Sequence, residues 1–250
     1  MTRYLAVTPD DLLRAKSYTP YLAHVAYRVG HDGHLLRAVL PPQLRGGLAV
    51  LSDCDAPTAP WGEALAQELL QECLQRSYAG VMLDLERRTP QGVFVRILDD
   101  TLHRHHRRLI VGEEYAPYAA HASLLINTAI SGGVLSERLT QAATQYGTER
   151  LMLDLQRLAM DFPLPCPGGE GAVLPPDELD RLRQGHSVFF SEELCARYFT
   201  YRRGNATRFV LFDDAETLQR KIAMGEELGI QEGCFMYPEV ADIMDCLYQK

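Results

Sequence analysis

Six cysteines stand in this 250-residue sequence, and no two of them form a C-x-x-C pair. Cys54, Cys73, Cys166, Cys195, Cys234 and Cys246 are too scattered for a zinc knuckle or a disulfide framework, so reduced, mostly buried thiols are expected. A glycine-rich phosphate turn is also missing, which argues against a bound nucleotide, and no organic cofactor is expected. No apolar run approaches the ~20 residues that span a bilayer. Basic residues are in the minority, 25 Lys and Arg against 33 Asp and Glu, and the net charge of −8 is spread over mixed-sign segments. A nucleic acid or a membrane surface would favour a concentrated basic face, so neither is expected as a partner. Met1-Thr2-Arg3-Tyr4 does not open a secretory signal, and a cytoplasmic location is the expectation that follows.

What remains is an ordinary globular composition, 46% hydrophobic and 23% charged, at a length suited to one large α/β domain or two small ones. Strand-like runs start near Arg3, Tyr21, Gly47, Ala79, Leu109, Ser123, Arg150 and Gly233, eight in all. Helical spacing falls between several of them, as in Leu65, Leu69 and Cys73, in Phe94, Ile97, Leu98 and Leu102, and in Leu135, Leu139, Ala142 and Tyr146. Eight such units in a chain of this length predict a closed (β/α)8 TIM barrel, a single domain over 1–250, with a doubly wound open sheet as the alternative. Aromatic and β-branched runs around Gly204-Asn205 predict a hairpin in a segment of about 165–213, inserted between the seventh and eighth strands.

The carboxylates fall at informative places. In Tyr78-Ala79-Gly80-Val81-Met82-Leu83-Asp84-Leu85-Glu86, two acids intrude two residues apart at the end of an apolar run. Residues i and i+2 of a strand share a face, so Asp84 and Glu86 stand side by side at the C-terminal end, where a parallel barrel keeps its chemistry. The competing reading is a strand running out into a polar loop, with Arg87 and Arg88 pairing both acids. Asp53 and Asp55 end another strand, Glu113, Glu114 and Tyr115 a third, and Asp161 and Glu239 others, so a barrel would gather them on one rim. Each taken alone is more readily a solvated loop charge. Cys54 has the position of a nucleophile but no identifiable histidine partner. The cluster His103-Arg104-His105-His106-Arg107-Arg108 is interrupted by arginines and suits a helix C-terminus better than a metal, so no metal site is expected.

With its neighbours, Gly80-Val81-Met82-Leu83-Asp84-Leu85-Glu86 resembles the fourth-strand signature D-G-x-D-x-D-x-E of glycoside hydrolase family 18, the chitinase-like barrels. His24-Val25-Ala26-Tyr27 with Asp32-Gly33-His34-Leu35 is similar to that family's second strand and its D-G-x-L turn. Phe212-Asp213-Asp214 ahead of Thr217 and Lys221 resembles the segment before the last barrel helix, and Gly229 to Tyr237 resembles the closing strand. The chain departs from the family at four places. Ala79 and Met82 stand where the signature's first two acids would be, no tyrosine or aspartate of an M-x-Y-D motif accompanies Asn127, and Tyr237 replaces a tryptophan.

The resemblance implies hydrolysis of N-acetylated amino-sugar polymers, chitin or peptidoglycan, with a carbohydrate ligand and no metal or cofactor. Glu86 would protonate the departing glycosidic oxygen while the substrate's own acetamido carbonyl attacks the anomeric carbon, and Asp84 would hold the acetamido N–H. Tyr27, Asp53, Glu113, Tyr115, Asn127, Asp161, Tyr237 and Glu239 are the expected substrate contacts, with Tyr198, Phe199 and Tyr201 of the inserted hairpin forming a wall. A spore-associated location would also suit such an enzyme. The missing acids at Ala79 and Met82 support a rival, a non-catalytic carbohydrate-binding or scaffold protein on the same barrel.

Overall fold

Side chains alternate between two environments along each buried strand, and that alternation sorts the whole chain into an inner and an outer core. The computed structural model describes residues 1–54, 56, 61–86, 91–166 and 169–248. In chain order, β1 (Thr2–Val7) leads through the short helix α1 (Leu12–Ala15) to β2 (Leu22–Val29), which folds back as β3 (Leu35–Arg37). There follow β4 (Leu48–Ser52), α2 (Glu63–Arg76), β5 (Gly80–Asp84), α3 (Gly92–Arg104), β6 (Arg108–Gly112), a 3-10 turn over Glu113–Tyr118, β7 (Ser123–Asn127), α4 (Leu135–Tyr146) and β8 (Leu151–Asp154). An inserted layer holds β9 (Ala159–Leu164), β10 (Ala172–Val173), α5 (Pro176–Arg183), β11 (Phe189–Ser191), β12 (Ala196–Arg203) and β13 (Ala206–Phe212). The chain then returns through α6 (Ala215–Glu227) to β14 (Glu232–Met236) and the short helices α7 (Tyr237–Val240) and α8 (Met244–Leu247).

Because β1 pairs in parallel with both β14 and β2, the strands β1, β2, β4, β5, β6, β7, β8 and β14 close on themselves. This is an eight-stranded parallel (β/α)8 barrel. Tyr4, Ala23, Leu48, Val50, Met82, Ile110, Met152 and Cys234 fill its interior. The opposite parity of the same strands, Leu5, Ala49, Leu51, Val81, Leu83, Val111 and Leu153 among them, packs beneath the helices. Among the described residues no helix is long and apolar enough to cross a membrane.

Arg108 is not part of a solvated helix end. It opens β6 and turns into the barrel's N-terminal end, where Nη1 donates to Glu232 Oε1 at 2.8 Å and Nη2 to Ser123 Oγ at 3.1 Å. A bidentate guanidinium matches a carboxylate well, and the pair closes the barrel floor. Gly80 is required beside it, since a Cβ there would stand 2.1 Å from the Arg108 carbonyl oxygen. His103 of the same cluster stacks on His121 with ring centroids 3.7 Å apart, and no group of three metal-ligating side chains occurs among the described residues.

The insertion is a five-stranded antiparallel sheet in the order β10-β9-β13-β12-β11, larger than the single hairpin that the sequence suggests. It begins at Ala159, because Ala159 to Leu164 pairs along its whole length with β13. Pro163 is tolerated there because β10 pairs only with Met160 and Asp161, leaving the outer edge of β9 open where the proline lacks its N–H. Asp213 ties the two ends of the insertion together. Its buried carboxylate accepts from Leu158 N at 3.0 Å, Thr217 Oγ1 at 2.8 Å and Lys221 Nζ at 2.8 Å. Asp214 then caps α6 through a reciprocal box with Thr217.

Candidate functional site

The inward parity of β5 is Gly80, Met82, Asp84, so the first carboxyl of the pair emerges at the mouth directly above the apolar interior. Asp84 lies opposite Ser52 of β4. Its carboxyl is held above the usual range chiefly by burial, then by Glu86 and Asp53, while a hydrogen bond from Ser52 pulls the other way. Glu86 follows, exposed at the mouth. Its backbone N–H donates to Asp53 Oδ1 at 3.0 Å, and Asp53 N–H donates to the Asp84 carbonyl at 3.1 Å. Asp53 is therefore buried and occupied in fixing the turn that presents Glu86. The expected pairing of Arg87 and Arg88, and the position of Asp55, lie outside the described residues.

A third acid arrives from β8, and the sequence reading missed it. Asp154 registers with Asn127 on one side and Cys234 on the other, which turns it inward above Met152. It keeps some surface open to the mouth, but protein surrounds it on most sides. Burial, then Glu239 and Asp84, push its carboxyl up to about 7. The signal was present in the sequence: Met-Leu-Asp ends the fourth barrel strand at 82–84 and recurs at 152–154. Glu239, on α7, is the fourth member. Burial raises its carboxyl, the Arg157 N–H bonded to it at 3.2 Å opposes that, and the charges of Glu86 and Asp84 add to the rise.

The remaining expected contacts separate into three groups. Asn127 stands at the mouth, exposed at the end of β7, its Oδ1 accepting from Ala129 N at 2.6 Å. Glu113 is at the rim but is engaged by Arg138 of α4. Tyr115 is buried in the outer core, its hydroxyl facing the Gln91 N–H.

Tyr27, Tyr237 and Asp161 are corrections. A bulge between Val25 and Tyr27 sets Tyr27 opposite the outward-facing Leu51, and its hydroxyl meets Tyr78 Oη at 3.0 Å and Glu72 Oε2 at 3.2 Å beneath α2. Tyr237 has the wrong parity, since Glu232, Cys234 and Met236 are the inward positions of β14 and Tyr237 packs in the outer core. Met236 occupies the mouth in its stead. Asp161 belongs to the inserted sheet, where Arg208 binds it through Nη2 at 2.7 Å and Tyr201 donates to it at 2.8 Å.

Two cavities open at the rim, and of the four acids only Glu239 lines one of them. One of about 500 Å³ lies between Gln156, Arg157 and Glu239 of the rim and Met160, Phe162 and Leu179 of the insertion. Another of about 390 Å³ lies between Thr8, Val25, Tyr27, Arg28, Arg37 and Ser52, although the Tyr27 hydroxyl is directed to Tyr78 and Glu72. Phe199 and Tyr201 pack on the face of the inserted sheet that α5 covers, whereas Tyr198 packs on the other face with Met160 and Phe162, the two residues of that cluster that line the cavity on the insertion's side.

No protein-family model and no curated protein matches the sequence. Solved structures do match the fold. The spore cortex-lytic enzyme SleL of Bacillus megaterium superposes with a TM-score of 0.68 at 16% identity, over 99% of this chain and 74% of that one. A chitinase from Chromobacterium violaceum gives 0.69 at 15% identity, over 100% and 98% of the two chains. A GH18 chitinase from Cycas revoluta, solved in complex with (GlcNAc)4, gives 0.66 at 11% identity, over 99% and 97%. The fold is that of the chitinase-like barrels.

Proposed function

We propose that the protein is a glycoside hydrolase-like enzyme acting on N-acetylated amino-sugar polymers of the chitin or peptidoglycan type, by substrate-assisted retaining hydrolysis. The observation that carries the proposal is Asp84 and Glu86, together at the C-terminal end of the fourth barrel strand, with cavities at the neighbouring Ser52 and at Glu239 to take a sugar chain. Glu86 gives its proton to the glycosidic oxygen as the bond to the anomeric carbon breaks. The acetamido carbonyl oxygen bonds to that carbon from the opposite face, and the resulting oxazolinium carries the positive charge. Asp84 accepts the acetamido N–H and stabilises that charge. Glu86, now a carboxylate, takes a proton from the water that opens the ring, which retains the configuration. Likeness to chitinases and to spore cortex-lytic enzymes supports this substrate class, and the latter go with a spore-associated place of action.

The second reading is a carbohydrate-binding protein that no longer cleaves. Met82 favours it, because the inward residue directly below Asp84 sits in the apolar interior and offers no carboxyl. A panel of chitin and peptidoglycan oligomers, assayed for both cleavage and binding, separates the two. Cleavage supports the enzyme, saturable binding without cleavage supports the binder, and neither removes the sugar altogether.

A further inference from the structure

Four carboxyls meet in the mouth, Asp84, Glu86, Asp154 and Glu239, and the proposed reaction needs them in different states. Glu86 must hold a proton to give, and Asp84 must be an anion against the acetamido N–H. Like charges this close cannot all ionise, so the protons must be distributed unevenly. The layer below Asp84 on β5 cannot take one, since Met82 there packs among Tyr4, Val50, Ile110 and Met152. Ser52 at the side of Asp84 favours its anion.

Asp154, in the corresponding layer of β8, is differently surrounded. Its cross-strand neighbours are Asn127 and Cys234, Met152 lies beneath it, and a hydrogen bond from the Gln156 backbone N–H is outweighed by burial and the facing acids. The charged and titratable groups that face it are Asp84 of β5, Glu239 of α7 and Cys234 of β14, with Glu86 acting on the first two. The guanidinium of the nearby cation, Arg157, is engaged with Asp242 and with the backbone carbonyls of Glu239 and Asp213.

We propose that Asp154 is a positioning residue that carries the mouth's shared proton, leaving Asp84 anionic where it meets the substrate's acetamido group. The proposal rests on the glycosidase reading for its purpose but not for its test. Only a proton moves: it lies on the Asp154 carboxyl, and the negative charge that it would otherwise cancel stays on Asp84. A largely enclosed, acid-faced carboxyl is the one least able to ionise, and the upward push on Asp154 to about 7 agrees with that assignment.

The experiment is a ¹³C NMR titration of the side-chain carboxyl carbons, without sugar, on the wild type, Asp154→Asn and Asp84→Asn. One carboxyl should titrate near 7 in the wild type, vanish in Asp154→Asn and move toward the ordinary range in Asp84→Asn. A wild type whose carboxyls all titrate in the ordinary range overturns the proposal, as does a near-neutral titration that survives Asp154→Asn. On a cleaved substrate, Asp154→Asn should also move the basic limb of kcat/KM upward by about one pH unit or more, a shift that a packing role does not predict. A near-neutral carboxyl in a protein that cleaves nothing upholds the position of the proton and counts against the reaction alone.

Discussion

The buried acids of the insertion and those of the barrel mouth are the same chemical group in opposite company. Asp161 is held by Arg208 and Tyr201, and Asp213 by Lys221, Thr217 and the Leu158 N–H. At the mouth, Asp84 and Asp154 have other acids as their charged neighbours, and of the group Glu239 alone has a cation, Arg157, beside it. A carboxylate that only supports a fold is given a cation; a carboxylate left among its own kind costs stability and persists where its proton is useful.

The largest effect expected from that contrast is on turnover. Glu86→Gln should lower kcat on N-acetylglucosamine oligomers by about 10²–10⁴-fold with binding nearly intact, because glutamine keeps the shape but has no proton to deliver. Unchanged turnover would move the chemistry to another carboxyl of the mouth. Lys221→Met is the corresponding break on the structural side. It leaves Asp213 buried and uncompensated at the clamp of the insertion, so it should cost about 3–5 kcal/mol in denaturant unfolding. A loss under 1 kcal/mol would mean that the pair does not anchor the inserted sheet.

Removing a mouth acid should have the opposite sign. A carboxyl whose folded pKa is raised is protonated in both states below the unfolded value near 4, and its contribution is lost as the pH climbs to about 7. Above that, Asp154→Asn should therefore be more stable than the wild type, by an amount on the order of 2–4 kcal/mol before allowance for its open side. His24 works against this in the wild type. Burial lowers its pKa to about 4, so its contribution is complete above the ordinary histidine value and is lost as the pH falls through that window. Acid and base scans of unfolding, run on the wild type and on Asp154→Asn, should differ only in the rising limb.

Strand starts and the i, i+2 spacing of Asp84 and Glu86 were legible because each depends on local periodicity, and the barrel followed from the count of eight such units. What was not legible depends on partners far along the chain. Tyr27 would share the inward parity of Ala23 and Val25 if β2 had no bulge, and nothing in His24-Val25-Ala26-Tyr27 announces one. Asp161 reads as a rim acid until β13 pairs with β9 and brings Arg208 beside it. Glu113 likewise reads as free until α4 delivers Arg138. Asp154 differs from these, since its register could be read by analogy with Met82-Leu83-Asp84, and only its depth required the fold.

The smallest expected effect tests whether the inner and outer parities have been sorted correctly. Tyr27→Phe removes a hydroxyl that meets Tyr78 at 3.0 Å and Glu72 at 3.2 Å, both beneath α2. Glu72 retains Arg37 and Arg76, so the loss is the bond shared with Tyr78 and the one given to the Glu72 carboxylate, about 1–2 kcal/mol in unfolding free energy. Because the ring faces the helices, saccharide binding measured by calorimetry should not change. Weaker binding at undiminished stability would put Tyr27 in the mouth, and the bulge that turns it outward would have to be given up.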